Sequence, residues 1–409
     1  MKRKNHKTMK KITFYLLIGI STLLMNGCAK SEFLDSDSLL NSSETSSDFA
    51  AFDAGRGSSV EVPGNGPNNP SGLITAGEWN DLEEWQFWED LVETEEYSDK
   101  IPYWGFYNNN RISIKLENNN QPVIDAEVSL VRNGVIVWTS KTDNKGTTEL
   151  WVDLFELHES VDLSRYSLLI NGLASPFISP LKWYAQGVNV IEVNDFTGSN
   201  ERVELSFIVD ATGSMADELE FLKNDLADVI QRVENDNPAL RIYTSSVFYR
   251  DEGDEYLTRK SEFSDNINTT VNFIQNQVAG GGGNFPEAVH SAMKVGIDEL
   301  EWASTAKTRI AFLLLDAPPH HESLVISDLQ NSIIAAAQKG IKVIPITASG
   351  IDKETEFLMR FFSITTNGTY VFITNDSGIG NDHLEPTVGE YEVEFLNDLM
   401  VRLIKAYSE

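Results

Sequence analysis

Apolar residues recur along the chain with two different periods. Across residues 203–209 the run Val-Glu-Leu-Ser-Phe-Ile-Val is almost continuously apolar, as in a parallel strand covered on both faces. Just downstream, Leu219, Leu222, Leu226, Val229, Ile230 and Val233 fall at helical intervals and predict a helix over 215–233. The alternation then continues to the end. Further strands are predicted at 241–248, 309–315, 341–346 and 370–373, with a hairpin return at 256–263. Further helices are predicted at 265–278, 286–302, 324–338, 353–362 and 390–407, and Gly340 after Lys339 closes one of them. Strands alternating with helices in this way imply an α/β domain over 200–409, a doubly wound and mostly parallel sheet expected to fold on its own.

Upstream, the period drops to two. Ile112, Ile114 and Leu116 alternate, as do Val128 and Leu130, and Val135 and Val137 follow an Asn133-Gly134 turn. This predicts an N-terminal all-β domain over 109–195. Between 73 and 108, Trp79, Trp85, Phe87, Trp88, Tyr97, Tyr103, Trp104, Phe106 and Tyr107 sit among acidic residues. Trp85, Trp88, Leu91 and Val92 share one helical face, so this aromatic, acidic segment is expected to be helical. It reads first as a face docked on its own protein and second as a carbohydrate platform. Residues 28–72 are rich in Ser, Asp, Asn, Gly and Pro and read as a disordered tether.

Residues 1–27 begin with Lys2, Arg3, Lys4, Lys7, Lys10 and Lys11, and the apolar run 12–25 that follows is too short and interrupted for a membrane span. They read as a secretory signal. The sequence Leu24-Met25-Asn26-Gly27-Cys28 resembles the cleavage box of bacterial lipoproteins, although Met25 and Asn26 depart from its commonest form. That resemblance implies that Cys28, the one cysteine of the chain, is the acylated mature N-terminus. Formal charge is −30, and loss of the six basic residues of the signal would take it to −36. Such a body repels nucleic acid and anionic lipid, so the membrane is expected to be reached through the lipid anchor alone. The expected location is the cell envelope, at the outer membrane or cell surface ahead of the inner membrane.

Candidate chemistry gathers where predicted strands end. Asp210, Thr212 and Ser214 alternate after the 203–209 strand and offer one carboxylate and two hydroxyls. These are hard oxygen ligands, suited to Mg²⁺, Mn²⁺ or Ca²⁺ rather than zinc. The same pentapeptide also suits an ordinary helix cap. Asp316 ends the 309–315 strand, and in a sheet that reverses order there it would face the same crevice as Asp210. Two loops lie nearby in the chain: Gly280-Gly281-Gly282-Gly283-Asn284-Phe285-Pro286-Glu287, and Phe248-Tyr249-Arg250-Asp251-Glu252-Gly253-Asp254-Glu255-Tyr256.

Taken together, and in this order, these four stretches resemble a von Willebrand factor type A domain spanning about 201–409. They are closest to the branch with a tyrosine-arginine-aspartate stretch and a triple-glycine, proline-glutamate loop. The resemblance implies a metal-ion-dependent adhesion site, with one divalent cation, Mg²⁺ ahead of Mn²⁺ or Ca²⁺, and an open position for a partner's carboxylate. Carried over by position, Asp210, Thr212, Ser214 and Asp316 are the implied ligands. In the third loop Asn284 stands where that branch has aspartate, so Glu287 becomes the candidate. Its alternative reading is a first-turn acid favoured by a helix dipole. Asp251, Asn284 and His320 are placed at the rim.

Farther upstream, Gln121 to Leu130 with Lys141-Thr142-Asp143-Asn144-Lys145-Gly146 resembles a carboxypeptidase-regulatory, prealbumin-like β-sandwich. The resemblance implies a spacer or platform. The adjacent His320 and His321 raise a hydrolytic metal centre, but no His-Glu-x-x-His pattern accompanies them, and Ser214 lacks a Gly-x-Ser-x-Gly elbow. The expectation is a non-enzymatic, lipid-anchored protein that binds a protein ligand through an acidic side chain. The alternative is a structural envelope scaffold whose metal site is empty or merely stabilising and whose contacts are made by the sandwich or the aromatic segment.

Overall fold

Ile74 and Ala76 are fully buried on either side of Thr75, an alternation that makes a strand, β1 (Thr75–Trp79), the first element. It lies in the segment expected to be helical. The expected helix follows it as three short pieces, α1 (Trp85–Val92), α2 (Glu95–Ser98) and α3 (Lys100–Trp104). α1 turns Trp85, Trp88 and Leu91 inward. A computed structural model describes residues 70–409, apart from 158–159, 176–179, 195–199 and 237. The signal segment, Cys28 and the tether up to residue 69 lie outside the described residues. Among those described, no helix is long and apolar enough to cross a membrane.

Next comes the β domain: β2 (Arg111–Asn118), β3 (Gln121–Pro122), β4 (Glu127–Arg132), β5 (Val135–Lys141), β6 (Thr147–Trp151), β7 (Tyr166–Ile170), β8 (Leu173–Ala174) and β9 (Asn189–Glu192). One sheet joins β3, β2 and β6, with β9 pairing parallel to β2, and the other runs β5-β4-β7-β8. Ile112, Ile114 and Leu116 of β2 and Val128 and Leu130 of β4 are fully buried, so the alternation read from the sequence is the inward face of both sheets. Asn133 and Gly134 both take positive φ in the β4–β5 hairpin, as a two-residue turn of this kind requires.

The α/β domain contains β10 (Arg202–Asp210), α4 (Ala216–Asp236), β11 (Arg241–Tyr249), β12 (Thr258–Ser264), α5 (Ile267–Gln275), α6 (Val289–Lys294), β13 (Thr308–Leu315), α7 (Ser323–Lys339), β14 (Ile341–Thr347), α8 (Lys353–Thr365), β15 (Tyr370–Ile373), β16 (Glu394–Phe395) and α9 (Leu396–Ser408). The sheet order is β12-β11-β10-β13-β14-β15-β1-β16. The five strands from β11 to β15 in that order pair in parallel, whereas β12, β1 and β16 pair antiparallel. The chain leaves β10 toward β11 on one side and returns to β13 on the other. That reversal opens a crevice above the carboxyl ends of β10 and β13.

Two expected helices start late. Glu287 forms an isolated parallel bridge with Pro319, its N–H donating to Pro318 O at 2.9 Å, and α6 begins at Val289. The last helix begins at Leu396, since 394–395 pair with β1.

Residues 200–409 are not a closed unit. β1 pairs with β15 with Gly77 opposite Phe372, where a Cβ would come within 2.6 Å of that ring. Trp88 stacks on Phe357 at 5.8 Å and Phe106 on Phe361 at 4.6 Å, so the aromatic segment covers α8. Between them Arg360 is fully buried, paired bidentately with Asp81 at 2.9 and 2.5 Å and with Glu356 at 3.3 Å. The aromatic stripe is thus spent on its own protein. At the amino ends of the parallel strands, the start of β13 meets the β domain through Arg309 and Asp125, 2.7 Å apart.

Candidate functional site

β10 ends in Asp210, and the chain turns through Thr212 and a tight turn over Gly213–Met215 into α4. The Asp210 carboxylate is fully buried, and its Oδ1 accepts from Thr212 N at 2.8 Å and Thr212 Oγ1 at 2.7 Å. Thr212 Oγ1 lies 3.1 Å from Ser214 Oγ. One oxygen of Asp210 therefore does the work of a turn cap, as the bland reading holds. The other, Oδ2, is buried and makes no hydrogen bond of ordinary geometry; the carboxylate's remaining support is the nearby Tyr249 hydroxyl, which capping does not explain.

Of the other carboxylates that share that condition, two stand beside Asp210. Asp316 Oδ1 and Glu287 Oε2 are also buried and unpartnered. Glu287 is held by its bonds to the 317–319 loop, and it precedes α6 by two residues, so it is not a first-turn acid. The glycine loop lies directly over it: a Cβ on Gly282 (φ +74°) would be 3.0 Å from Glu287 Oε1 and 3.4 Å from Thr212 Cβ. Only glycine lets the loop bring Glu287 onto the first loop.

The electrostatics follow from this crowding. Burial, and then the Asp316 charge, push the Asp210 carboxyl well above the usual range. Burial raises Asp316 too, against support from the Ser214 hydroxyl. Glu287 is pushed up to about 9 by burial and by Asp210, Asp251, Asp316 and Asp254. Tyr249, beneath them, is raised by burial and by the same carboxylates. Buried carboxylates that oppose each other's ionisation form a site that favours a proton or a cation.

No three His, Cys, Asp or Glu side chains among the described residues stand close enough to hold a metal ion by themselves. A cation here would depend on the Thr212 and Ser214 hydroxyls as well as the acids. Two carboxylates and two hydroxyls, with Glu287 adjacent, form an all-oxygen donor set with open valences, which fits Mg²⁺ or Mn²⁺. Above them opens a cleft of about 180 Å³. Its lining includes Ser214, Asn284, Glu287, Asp316, Ser349 and Asn381. Asn284 is exposed at the lip of the cleft.

The rim residues divide. His320 Nε2 lies 2.7 Å from Asp251 Oδ1, and Asp251 in turn bears on Glu287. His321 points away, donating to Tyr103 O at 2.8 Å and stacking on the Tyr103 ring at 3.6 Å. The two histidines therefore do not converge. Arg250 does positioning work that the sequence left unassigned. Its Nε donates to Ala211 O at 3.1 Å and its Nη2 to Val278 O at 2.8 Å, tying the first loop to the glycine loop. A buried arginine at a strand's carboxyl end, flanked by Tyr249 and Asp251, was the available signal.

Residues 204–378 match the sequence model of the von Willebrand factor A domain, and β10 to β15 have that domain's sheet and flanking helices. Two curated proteins are similar over part of the chain. A putative ariadne-like RING finger protein of Acanthamoeba polyphaga mimivirus is 34% identical over 121 residues, which is 30% of this chain and 12% of that protein. An alpha-protein kinase of Dictyostelium discoideum is 33% identical over 124 residues, 30% of this chain and 19% of that protein. The chain thus spans less than a fifth of either relative. Similarity to a viral and a eukaryotic protein leaves a bacterial origin resting on the residues around Cys28.

Proposed function

We propose that this protein binds a protein partner by capturing an acidic side chain through a divalent cation, held by Asp210, Thr212, Ser214 and Asp316 with Glu287. The observation that carries the reading is the set of three buried, unpartnered carboxylate oxygens, on Asp210, Asp316 and Glu287, beside two hydroxyls at the switch point of the sheet. A bound dication would supply the positive charge that this set lacks and polarise the oxygen of whatever entered the cleft. The chain's own residues supply the rest. Arg250 fixes the spacing of the two loops, Gly282 admits Glu287, and the cleft takes one side chain. Catalysis is not part of the reading, because His320 and His321 diverge.

Protein binding of this adhesion type agrees with the A-domain match. We further infer attachment through a lipid on Cys28 and a place on the cell envelope, supported by the basic and apolar segment before that cysteine. Contact through the aromatic segment is disfavoured, since Trp88, Trp104 and Phe106 are buried against the protein itself.

Calorimetric titration of the chain from residue 70 with Mg²⁺, Mn²⁺ and Ca²⁺ tests the site. Wild type should take up a cation and gain thermal stability by mass action. Asp210→Ala should lose uptake, and Ser214→Ala, which removes a dipole and no charge, should retain it more weakly. Equal silence from wild type and Asp210→Ala would reduce Asp210 to a cap. Envelope pull-downs with and without chelator test the partner, and labelled palmitate entering wild type but not Cys28→Ser tests the anchor.

A further inference from the structure

The parallel strands of the α/β domain carry opposite charges at their two ends. Arg202 starts β10, Arg241 starts β11, and Arg309 and Lys342 stand second in β13 and β14. At the carboxyl ends lie the loops around the cleft, and their exposed charges are acids. Asp217 stands in the first turn of α4, Glu252 follows Asp251, and Glu322 precedes α7. Asp376 and Asp382 belong to the loop that brings Asn381 to the cleft. That loop is held to α4 by the buried Glu218, whose Oε1 lies 3.1 Å from His383 Nε2 and would be 2.5 Å from a Cβ on Gly380.

Bases near this edge are already committed. Arg250 is buried and holds Ala211 O and Val278 O. Arg259 pairs with Glu255 at 3.0 Å, and Lys353 with Glu356 at 2.8 Å. Residues 211–217, 278–288, 316–324 and 374–388 contain no lysine or arginine. An acidic rim by itself would be an ordinary solvated face. Inside this one, however, Asp210 Oδ2, Asp316 Oδ1 and Glu287 Oε2 are buried without a hydrogen bond of ordinary geometry, on residues that are 0%, 4% and 3% exposed. Asp316 and Glu287 line the cleft. Asp210 and Asp316 together would neutralise a dication, and an ionised Glu287 would leave the set one charge negative. A partner's carboxylate would then be drawn by the open valence only at contact, while the exposed acids oppose its approach.

We propose that the partner is a protein surface on which a single carboxylate is set among lysines and arginines, so that its bases meet the acidic rim as the carboxylate enters the cleft. This rests on the reading of the cleft as a cation site. The rim speeds the approach of such a surface and makes it sensitive to salt. It also rejects acids that lack a basic setting, including those on other copies of this chain, whose formal charge is −30.

Fluorescence anisotropy on the full chain decides it, with three end-blocked peptides: Lys-Arg-Asp-Arg-Lys, Ser-Ser-Asp-Ser-Ser and Lys-Arg-Asn-Arg-Lys. In Mg²⁺ the first should bind about tenfold or more tighter than the second, and weaken severalfold between about 50 and about 300 mM salt. Chelator should bring it down to the level of the third, which measures attraction to the acidic chain at large. Asp217→Asn, Glu252→Gln and Asp382→Asn combined should cost the first peptide about fivefold or more. Glu234→Gln, Asp236→Asn and Asp265→Asn combined remove the same charge from exposed positions at the other end of the domain, and should cost less than about twofold. Equal binding of the first two peptides, or none by either at about 1 mM, overturns the proposal. So does a first peptide no tighter than the third in Mg²⁺, or equal losses in the two triple variants. Mg²⁺ calorimetry on the same protein separates this from the reading beneath it. Uptake alongside any of those results leaves the cation site standing and removes the basic-flanked partner, whereas no uptake removes both.

Discussion

Replacing Glu287 by glutamine should move stability and cation affinity in opposite directions. The carboxyl is buried and its proton affinity is raised from 4.5 to about 9 in the absence of a cation. A folded-state value above the unfolded one means stability that is complete below about pH 4.5 and lost progressively as pH rises toward 9. At pH 7.5 the native site holds a proton that the unfolded chain has released. At about 1.4 kcal/mol per unit, three units set an upper bound on the order of 4 kcal/mol. Mutual coupling with Asp210 and Asp316 takes part of that, so about 2–4 kcal/mol is expected. Glu287→Gln removes the titration and keeps the shape. In chelator it should unfold at higher denaturant than wild type at pH 7.5 and match it near pH 4.5. With Mg²⁺ the order should reverse: affinity should fall at least the roughly 10–100-fold that even outer-shell partners of a metal are worth. Guanidinium melts at the two pH values and calorimetry at pH 7.5 give both numbers. A variant no more stable than wild type at pH 7.5 in chelator refutes the electrostatic argument. Unchanged Mg²⁺ affinity removes Glu287 from the cation set.

Three further outcomes concern the framework. Trp88→Ala empties a stacked and hydrogen-bonded site against Phe357 and should cost about 3–5 kcal/mol in chemical denaturation. Arg360→Ala leaves Asp81 and Glu356 buried without their cation and should cost about 3–5 kcal/mol, while Arg360→Met combined with Asp81→Asn should recover much of it. A fragment of residues 200–409 lacks β1 and the aromatic cover of α8. It should aggregate, or melt well below the chain from residue 70, by circular dichroism and gel filtration. A fragment equal in stability would show that this cover contributes little.

The legible parts of the sequence were those where one period dominates. The continuous apolar runs of β10, β13 and β14 and the alternation of β2 and β4 are direct records of burial on two faces and on one. β1 was not legible. Five residues with Gly77 in the middle carry almost no strand propensity of their own, and they form a strand because β15 is there to pair with. Pro286 pointed to a helix start that tertiary pairing overrode, since Glu287 bonds to Pro318 instead. At the site, Asp210, Thr212, Ser214 and Asp316 could be read because they lie at strand ends. Glu218 and His383 could not. They are 165 residues apart, and neither stands in a pattern that sequence spacing exposes.

The direction of β1 has a mechanical consequence. It runs antiparallel to β15, so its first residue, Thr75, bonds beside Thr374 at the same edge of the sheet as Asp210 and Asp316. Gly72, just before it, is pinned to Asp225 on α4 at 2.6 Å. Tension between a partner gripped in the cleft and the chain upstream of residue 70 would enter and leave through that one edge. Opposed forces applied at one edge act across the strands, so they would peel the β1–β15 hydrogen bonds singly from the Thr75 end instead of shearing them together. The β domain meets the α/β domain elsewhere, at Arg309 and along α7. It lies off the line of force and is not a spacer in series with it, so stiffening or shortening it should leave the rupture force unchanged.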